Sequence, residues 1–415
     1  MNLLALPPTP LREADVNMLS RSVRVRVAGL VIVSMSGILA GGLRAQQIGR
    51  TPVEVQVPQP PTAAVALGRV HLVYELHVTN FGEGTIALEQ LDVLHDDGTV
   101  IESWSGRQLW QRVTVLGRPP GEIGTPHTLQ PGARGIAYLW ISLPPGKAAP
   151  ASFVHRLTFS HGRAERDTLV TGTVLLPSTA APSLAAPVRG GPWVAVRGPA
   201  NASPHRLSLV TLGGRVRVPQ RFAVDWALLG DDGLLSRGDP AVLTNWYGYD
   251  APVYAAAAGT VVLVRDGTPD HPPFSAPPPA VMEPTDAAGN IVVLDIGNGR
   301  FASYAHLKSG SLQVAEGHRV LEGQPLARIG NSGNTLGPHL HFQINDAVEP
   351  LGGEGLPFSL RTYVLLGRVA SFPALLAGTP WTSEPTRPVR AVTNEMPLEN
   401  MVTRFSGATS GSGGR

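Results

Sequence analysis

The chain has 415 residues, 43% of them hydrophobic and 15% charged, enough to bury a sizeable core and, on length alone, to make about two domains. It contains no cysteine, which excludes disulfides, thiolate zinc sites, cysteine nucleophiles and a lipoprotein anchor, so any metal must sit on His, Asp or Glu. The net charge of +2 is set by the first 45 residues, which hold five of the 33 basic and two of the 31 acidic side chains; the remainder, 28 against 29, lacks the basic footprint of a nucleic-acid binder.

Arg21, Arg24 and Arg26 precede an apolar run, 27–40, followed by Gly41, Gly42 and Ala45. A basic head, a short hydrophobic stretch and small residues spell a secretory signal over 1–45, with Met18 as an alternative start. The run is shorter than the ~20 residues a membrane span needs, so an uncleaved anchor is the weaker reading. Export to the periplasm or cell envelope is expected, with membrane contact only through this signal.

From 51 to 177 the chain reads as strands and turns. Val70, Leu72, Tyr74, Leu76 and Val78 alternate with His71, Glu75, His77 and Thr79, the period of a half-buried strand. Asp97-Gly98 and His161-Gly162 read as hairpin turns, and the spacing predicts an immunoglobulin-like β-sandwich. His71, His77, His95, His127, His155 and His161 show no ligand spacing and read as surface or strand-pair residues. Residues 178–192, small and Pro-rich, suit a linker; a second domain is expected over 193–374, and 375–415 reads as an extended tail with a disordered Gly/Ser end.

The chemistry lies in the second domain. Pro252-Val253-Tyr254-Ala255 leads to Gly259-Thr260-Val261-Val262, a turn into a buried strand. A hairpin follows, 290–296 and 301–307, ending in Tyr304-Ala305-His306-Leu307. Val314, Gly317, Val320, Gly323, Gln324 and Leu326 then build a tight β-pair that leads through Gly330-Asn331-Ser332-Gly333 to Pro338-His339-Leu340-His341-Phe342. In an extended strand His339, His341 and Gln343 share one face and Leu340, Phe342 and Ile344 the other, so two imidazoles point together from an apolar anchor. A metal site is held this way; so is a half-exposed strand with two solvated histidines.

Four pieces in series resolve that choice: Pro-Val-Tyr-Ala with Gly-Thr-Val-Val, Tyr-Ala-His-Leu, the spaced Val and Gly run to Gly-Gln-x-Leu, and Gly-Asn-Ser-Gly-Asn-Thr-x-Gly-Pro-His-Leu-His-Phe. Together, over roughly 193 to 360, the chain resembles the lysostaphin-type zinc metallopeptidases, which cut peptide cross-links of bacterial peptidoglycan with a zinc on two His and one Asp. The resemblance implies an all-β chain, the sandwich followed by a compact antiparallel metallopeptidase sheet, with Zn2+ as cofactor and peptidoglycan as partner. It makes His341 a zinc ligand and gives His306 and His339 the task of orienting water or stabilising an oxyanion.

The remaining ligands come from a His and an Asp near the start of the family's domain. Gln220-Arg221-Phe222-Ala223-Val224-Asp225-Trp226 resembles a long-loop subgroup with Asp225 as ligand, but Arg221 stands where the histidine is expected. His205 is the nearest preceding histidine and is taken as the third ligand. Asp225 also fits a turn or surface carboxylate. Trp246-Tyr247-Gly248-Tyr249-Asp250 is the other candidate stretch; Asp250 reads more simply as an exposed strand-start residue and the aromatics as a packed loop. His271, among prolines, and His318, in a turn, read as solvated.

Two functions follow from different classes: an exported zinc endopeptidase acting on peptidoglycan, or a degenerate relative that binds walls as a scaffold or activates an amidase. The third ligand separates them.

Overall fold

The period-two patterns become strands, and the chain is nearly all β, as expected. The computed structural model describes residues 51–117, 128–161, 165–275, 286–383 and 389–407. The expected signal over 1–45, His127 and the tail from 408 lie outside them. Among the described residues no helix is long and apolar enough to cross a membrane.

Two sheets form the first body. Val53–Gln56, Arg69–Asn80, Arg134–Ser142 and Val113–Val115 make one, with Ala64–Ala66 at its side. Glu165–Val170, Ser152–His161, Ile86–Leu94 and Val100–Ser105 make most of the other. Leu72, Tyr74, Leu76 and Leu139 of the first pack against Leu88, Leu91, Phe153 and Phe159 of the second, so the body is a sandwich with one apolar core.

The Arg69–Asn80 strand departs from expectation. Both its faces are buried from His71 onward, because the face away from the sandwich core lies against the second body. There Ala64, Ala66 and Val73 pack on Phe222, Met396, Leu398 and Met401. For the same reason His71 and His77 are buried; His155 is buried instead inside the sandwich, its ring hydrogen-bonded to the Tyr74 hydroxyl at 2.9 Å. His71, His77 and His155 are strand-pair residues, though buried ones; His161 pairs with Glu165 and His95 is exposed.

The second body is built on one long sheet. At its centre run Gly190–Val196, Val224–Leu228, Leu340–Asn345, Phe301–Leu307, Asn290–Asp295 and Gly259–Arg265, in that order and all antiparallel. The stretch expected as a linker is part of it: Ser183–Leu184 pairs in parallel with Ser359–Arg368, and Gly190–Val196 is a central strand. The expected tail is corrected likewise. Arg390–Glu395 pairs with Ser359–Arg368, and Met401–Phe405 lies between Ser359–Arg368 and Gly190–Val196. Short length hid these strands, from which Val392 and Phe405 enter the core while Met401 packs against the sandwich.

Trp193, Trp226, Tyr304, Leu340, Phe342, Ile344 and Phe405 share that core. Phe405 stands edge-on to Trp226 at 5.2 Å between ring centres. Phe405→Ala is expected to lower the free energy of unfolding by about 3–5 kcal/mol in urea titration. A change within the ~0.5 kcal/mol of a surface substitution would mean the C-terminal strand is not part of this core.

Candidate metal centre

The apolar side of the Val224–Leu228 and Leu340–Asn345 pair sets what its other side presents. Val224 is opposite Phe342, Asp225 opposite His341 and Trp226 opposite Leu340. With Val224, Trp226, Leu340 and Phe342 in the core, Asp225 and His341 must share the reverse face as direct neighbours. His341 in turn lies opposite Ala305, which brings the next residue, His306, to the same end. His339 immediately precedes the strand.

The chain places all five predicted side chains together. Asp225 Oδ1 is 2.8 Å from His341 Nδ1 and 3.5 Å from His339 Nε2, while Asp225 Oδ2 is 3.4 Å from His205 Nε2. The donor atoms of His205, Asp225 and His341 all lie within 4.8 Å of one another, and the three residues are buried. The His306 ring is 4.8 Å from that of His339 and 5.8 Å from that of His341. His205, Asp225, His306, His339, His341, Gln343 and the half-buried Arg197 border a cavity of about 410 Å3.

Hydrogen bonds at the far sides of the rings decide which nitrogens are bare. The Gln343 amide donates to Pro350 O at 2.8 Å, which turns its Oε1 to accept from His341 Nε2 at 2.7 Å and leaves His341 Nδ1 facing Asp225. His339 Nδ1 donates to Gly337 O and His306 Nδ1 to Ser332 O, each at 2.8 Å, so their Nε2 atoms are the free ones. In the neutral ring His341 Nδ1 is bare, and at 2.8 Å from an Asp225 oxygen it sets two acceptors face to face. A cation between them resolves that contact, and two imidazoles with one carboxylate suit zinc. On its own side His205 differs: its buried Nδ1 has no hydrogen-bond partner among the described residues.

The loops that deliver these side chains are tight. Gly333 has φ +82°, and a Cβ there would meet Gly289 N at 2.5 Å; Gly337 lies so close to Trp246 that a Cβ would meet its ring at 2.5 Å. His306 itself adopts φ +59°, a backbone state that strains a residue with a Cβ. His271 is not solvated, as its proline-rich surroundings led one to expect, but buried. It sits 3.0 Å from Gly333 O and, through Asn331 Nδ2 on its own carbonyl, braces the loop before His339. His318 is exposed. Asp250 pairs with Lys308 and Arg328, and Trp246, Tyr247 and Tyr249 are hydrogen-bonded loop residues, of which Trp246 borders a small cavity with Asp225 and His339. Sequence reasoning placed Gln343 on the right face without its task; the period was the signal. Arg197 carried none.

Residues 246–352 match the family described as Peptidase family M23. The chain carries a peptidase family M23 domain. Over 93 residues it is 34% identical to the peptidoglycan DD-endopeptidase ShyA of Vibrio cholerae serotype O1, which covers 22% of this chain and 17% of that protein. ShyB of the same organism is 33% identical over 94 residues, 23% of this chain and 17% of its own. The chain thus spans under a fifth of the length of the curated relatives it matches. Among solved structures, a zinc-containing peptidase from Vibrio cholerae is 16% identical with a TM-score of 0.25, over 75% of this chain and 88% of that one. The M23 match includes His306, His339 and His341 and begins after His205 and Asp225.

Electrostatics follow the burial. Burial disfavours the Asp225 anion, but the surrounding imidazoles outweigh it and hold the carboxyl well below its usual range. Burial lowers His205 to about 4 against the pull of Asp225, and lowers His306 well below 6.5, helped by His339 and His341. For His339 the same burial is overcome by Asp225, and its value rises. His205 and His306 therefore bind fewer protons folded than unfolded: the stability they contribute is complete above the ordinary 6.5 and is lost as pH falls, toward about 4 for His205. His339 works in reverse, contributing below 6.5 and losing that contribution as pH rises. Chelator-treated protein is expected to melt at a lower temperature at about pH 5 than at about pH 7, and His205→Ala to show a smaller difference. An unchanged difference in His205→Ala would show that His205 is not neutral in the fold.

Proposed function

We propose that this chain is an exported zinc metalloendopeptidase that hydrolyses peptide cross-links of bacterial peptidoglycan. The observation that carries the reading is the set of three buried donors, His205, Asp225 and His341, with two further imidazoles on the rim of the same cavity. The similarity to peptidoglycan DD-endopeptidases over the M23 domain supports the substrate class.

In this reading His205 Nε2, an Asp225 oxygen and His341 Nδ1 hold the ion. Bound there, zinc supplies Lewis acidity toward the scissile carbonyl and a water that ionises near neutral pH. The protein does the rest. His306, kept neutral by burial, offers Nε2 to take a proton from the attacking water and return it to the leaving amine. His339, biased toward its charged form by Asp225, donates from Nε2 to the developing oxyanion. Two imidazoles driven apart in proton affinity by their surroundings divide acid from base. Arg197 gives the cavity a cation suited to a carboxylate of the stem peptide. The export signal delivers the chain to its substrate.

The experiment pairs metal analysis with peptide release from isolated cell walls. Purified protein is expected to hold about one equivalent of zinc, to lose it in His341→Ala, and to lose peptide release with chelator and regain it with added zinc. A folded, zinc-free protein that still binds walls would instead support the scaffold or amidase-activator reading, which the unsupported Nδ1 of His205 favours.

The two rim histidines give a separate result. His306→Ala and His339→Ala are expected to keep the zinc and to lose roughly 10²–10⁴-fold in kcat. Loss of metal in either would move that residue from catalysis to coordination.

A further inference from the structure

His205 rides on a single turn, Pro204–Leu207, too short to hold itself as a helix. Consecutive side chains on a turn leave it about 100° apart. His205 can therefore face the sheet while Arg206 faces the sandwich. Arg206 is fully buried there. Its Nη2 donates to Tyr74 O at 2.8 Å and Leu139 O at 2.9 Å, on two adjacent sandwich strands, and its Nε donates to Glu75 Oε1 at 3.1 Å. Nη1 donates to Asn201, whose own amide donates to Tyr138 O at 3.0 Å.

The same Glu75 accepts from Arg221, with Oε2 at 2.6 Å from Nη2 and 3.0 Å from Nε. Arg221 continues to Glu354 Oε2 at 2.9 Å and Gly355 O at 3.1 Å. One carboxylate from the sandwich thus grips an arginine adjacent to His205 and another four residues before Asp225. Adhesion between the bodies does not require this, since Val73, Phe222, Met396 and Met401 already make an apolar contact beside it. A buried ionic cluster is poor glue, because desolvation offsets its attraction. It does fix direction: the guanidinium fork admits one orientation against Glu75 and the two carbonyls.

We propose that Glu75, acting through Arg206, is a positioning residue of the metal centre, so that the sandwich completes the zinc site by holding His205 in place. The proposal rests on the reading of His205 as a metal donor. In it the sandwich is neither a spacer nor an appended wall-binding module.

The test is a double-mutant cycle on the full chain, with zinc(II) affinity read by competition with a chromogenic chelator and folding read by circular dichroism. Glu75→Gln is expected to weaken zinc binding roughly 10–100-fold, the range seen when groups that orient metal ligands are removed. His205→Ala weakens it too, and the double variant binds no more weakly than His205→Ala alone. Asp92→Asn, which breaks the 2.7 Å pair with Arg156 inside the sandwich, leaves zinc affinity unchanged. Arg206→Lys keeps the charge, loses the fork and is expected to follow Glu75→Gln. A folded Glu75→Gln with wild-type affinity overturns the proposal. So does an equal loss from Glu75→Gln in the His205→Ala background, and so does collapse of both Glu75→Gln and Arg206→Lys, which would assign the cluster to folding. If the unaltered protein takes up no zinc, the metal reading itself fails and this proposal falls with it; wild-type uptake with an indifferent Glu75→Gln sinks only the positioning role.

Discussion

The centre depends on the register between two antiparallel strands. Asp225 meets His341 because Val224 faces Phe342 and Trp226 faces Leu340, and the period of two then leaves no freedom on the reverse side. A slip of one residue would drive the carboxylate into the core and expel Trp226. Burial of each large apolar side chain is worth roughly 1.5–3 kcal/mol, so Val224, Trp226, Leu340 and Phe342 together oppose that slip far more strongly than any polar contact on the site face. The hydrophobic face thus sets the geometry of the polar one.

A carboxylate buried this deeply needs compensation. Here it comes from three imidazoles whose outer nitrogens are engaged or enclosed. Pro350 O orients the Gln343 amide, which orients His341; Gly337 O and Ser332 O fix His339 and His306. None of these partners is itself a reacting group. They determine which nitrogen of each ring is bare, and so which way the site's lone pairs converge. His205 lacks such a partner at Nδ1, and its position is secured instead through the backbone of its turn and the neighbouring arginine.

What the sequence made legible follows from this physics. Alternation revealed the strand with His339 and His341, the hairpin ending at His306, and the placement of Gln343 on the same face as those two histidines, because a period of two is a local property. Alternation cannot report what covers a strand's second face. Arg69–Asn80 therefore read as half-buried, although Glu75 and Val73 meet the second body and His71 and His77 are buried with them. The stretch 178–192 read as a linker and 375–415 as a tail because proline, glycine and small polar residues carry no strong pattern; Gly190–Val196 and Met401–Phe405 are strands through pairing with distant partners. His155 escaped for a related reason: an isolated histidine in a strand shows no spacing, and only the opposing sheet buries it against Tyr74. His205 was reachable as the nearest histidine upstream, whereas Glu75, the partner of the neighbouring Arg206, lies 131 positions from that arginine in sequence.

Arg221 shows why a departure from an expected motif need not be a loss. At the position where a ligand histidine was expected stands a guanidinium that never enters the centre, drawn instead between Glu75 and Glu354. An imidazole there could not make that bridge, and an arginine could not ligate zinc. The M23 match begins at residue 246, after both His205 and Asp225, so similarity along that segment describes the scaffold and three of the five histidine and aspartate groups, not the whole constellation. His205 reaches Asp225 from a turn following Gly190–Val196 whose Arg206 is hydrogen-bonded to Glu75 and two carbonyls of the sandwich. The positioning role proposed for Glu75 would couple two bodies that a composition-based reading separates.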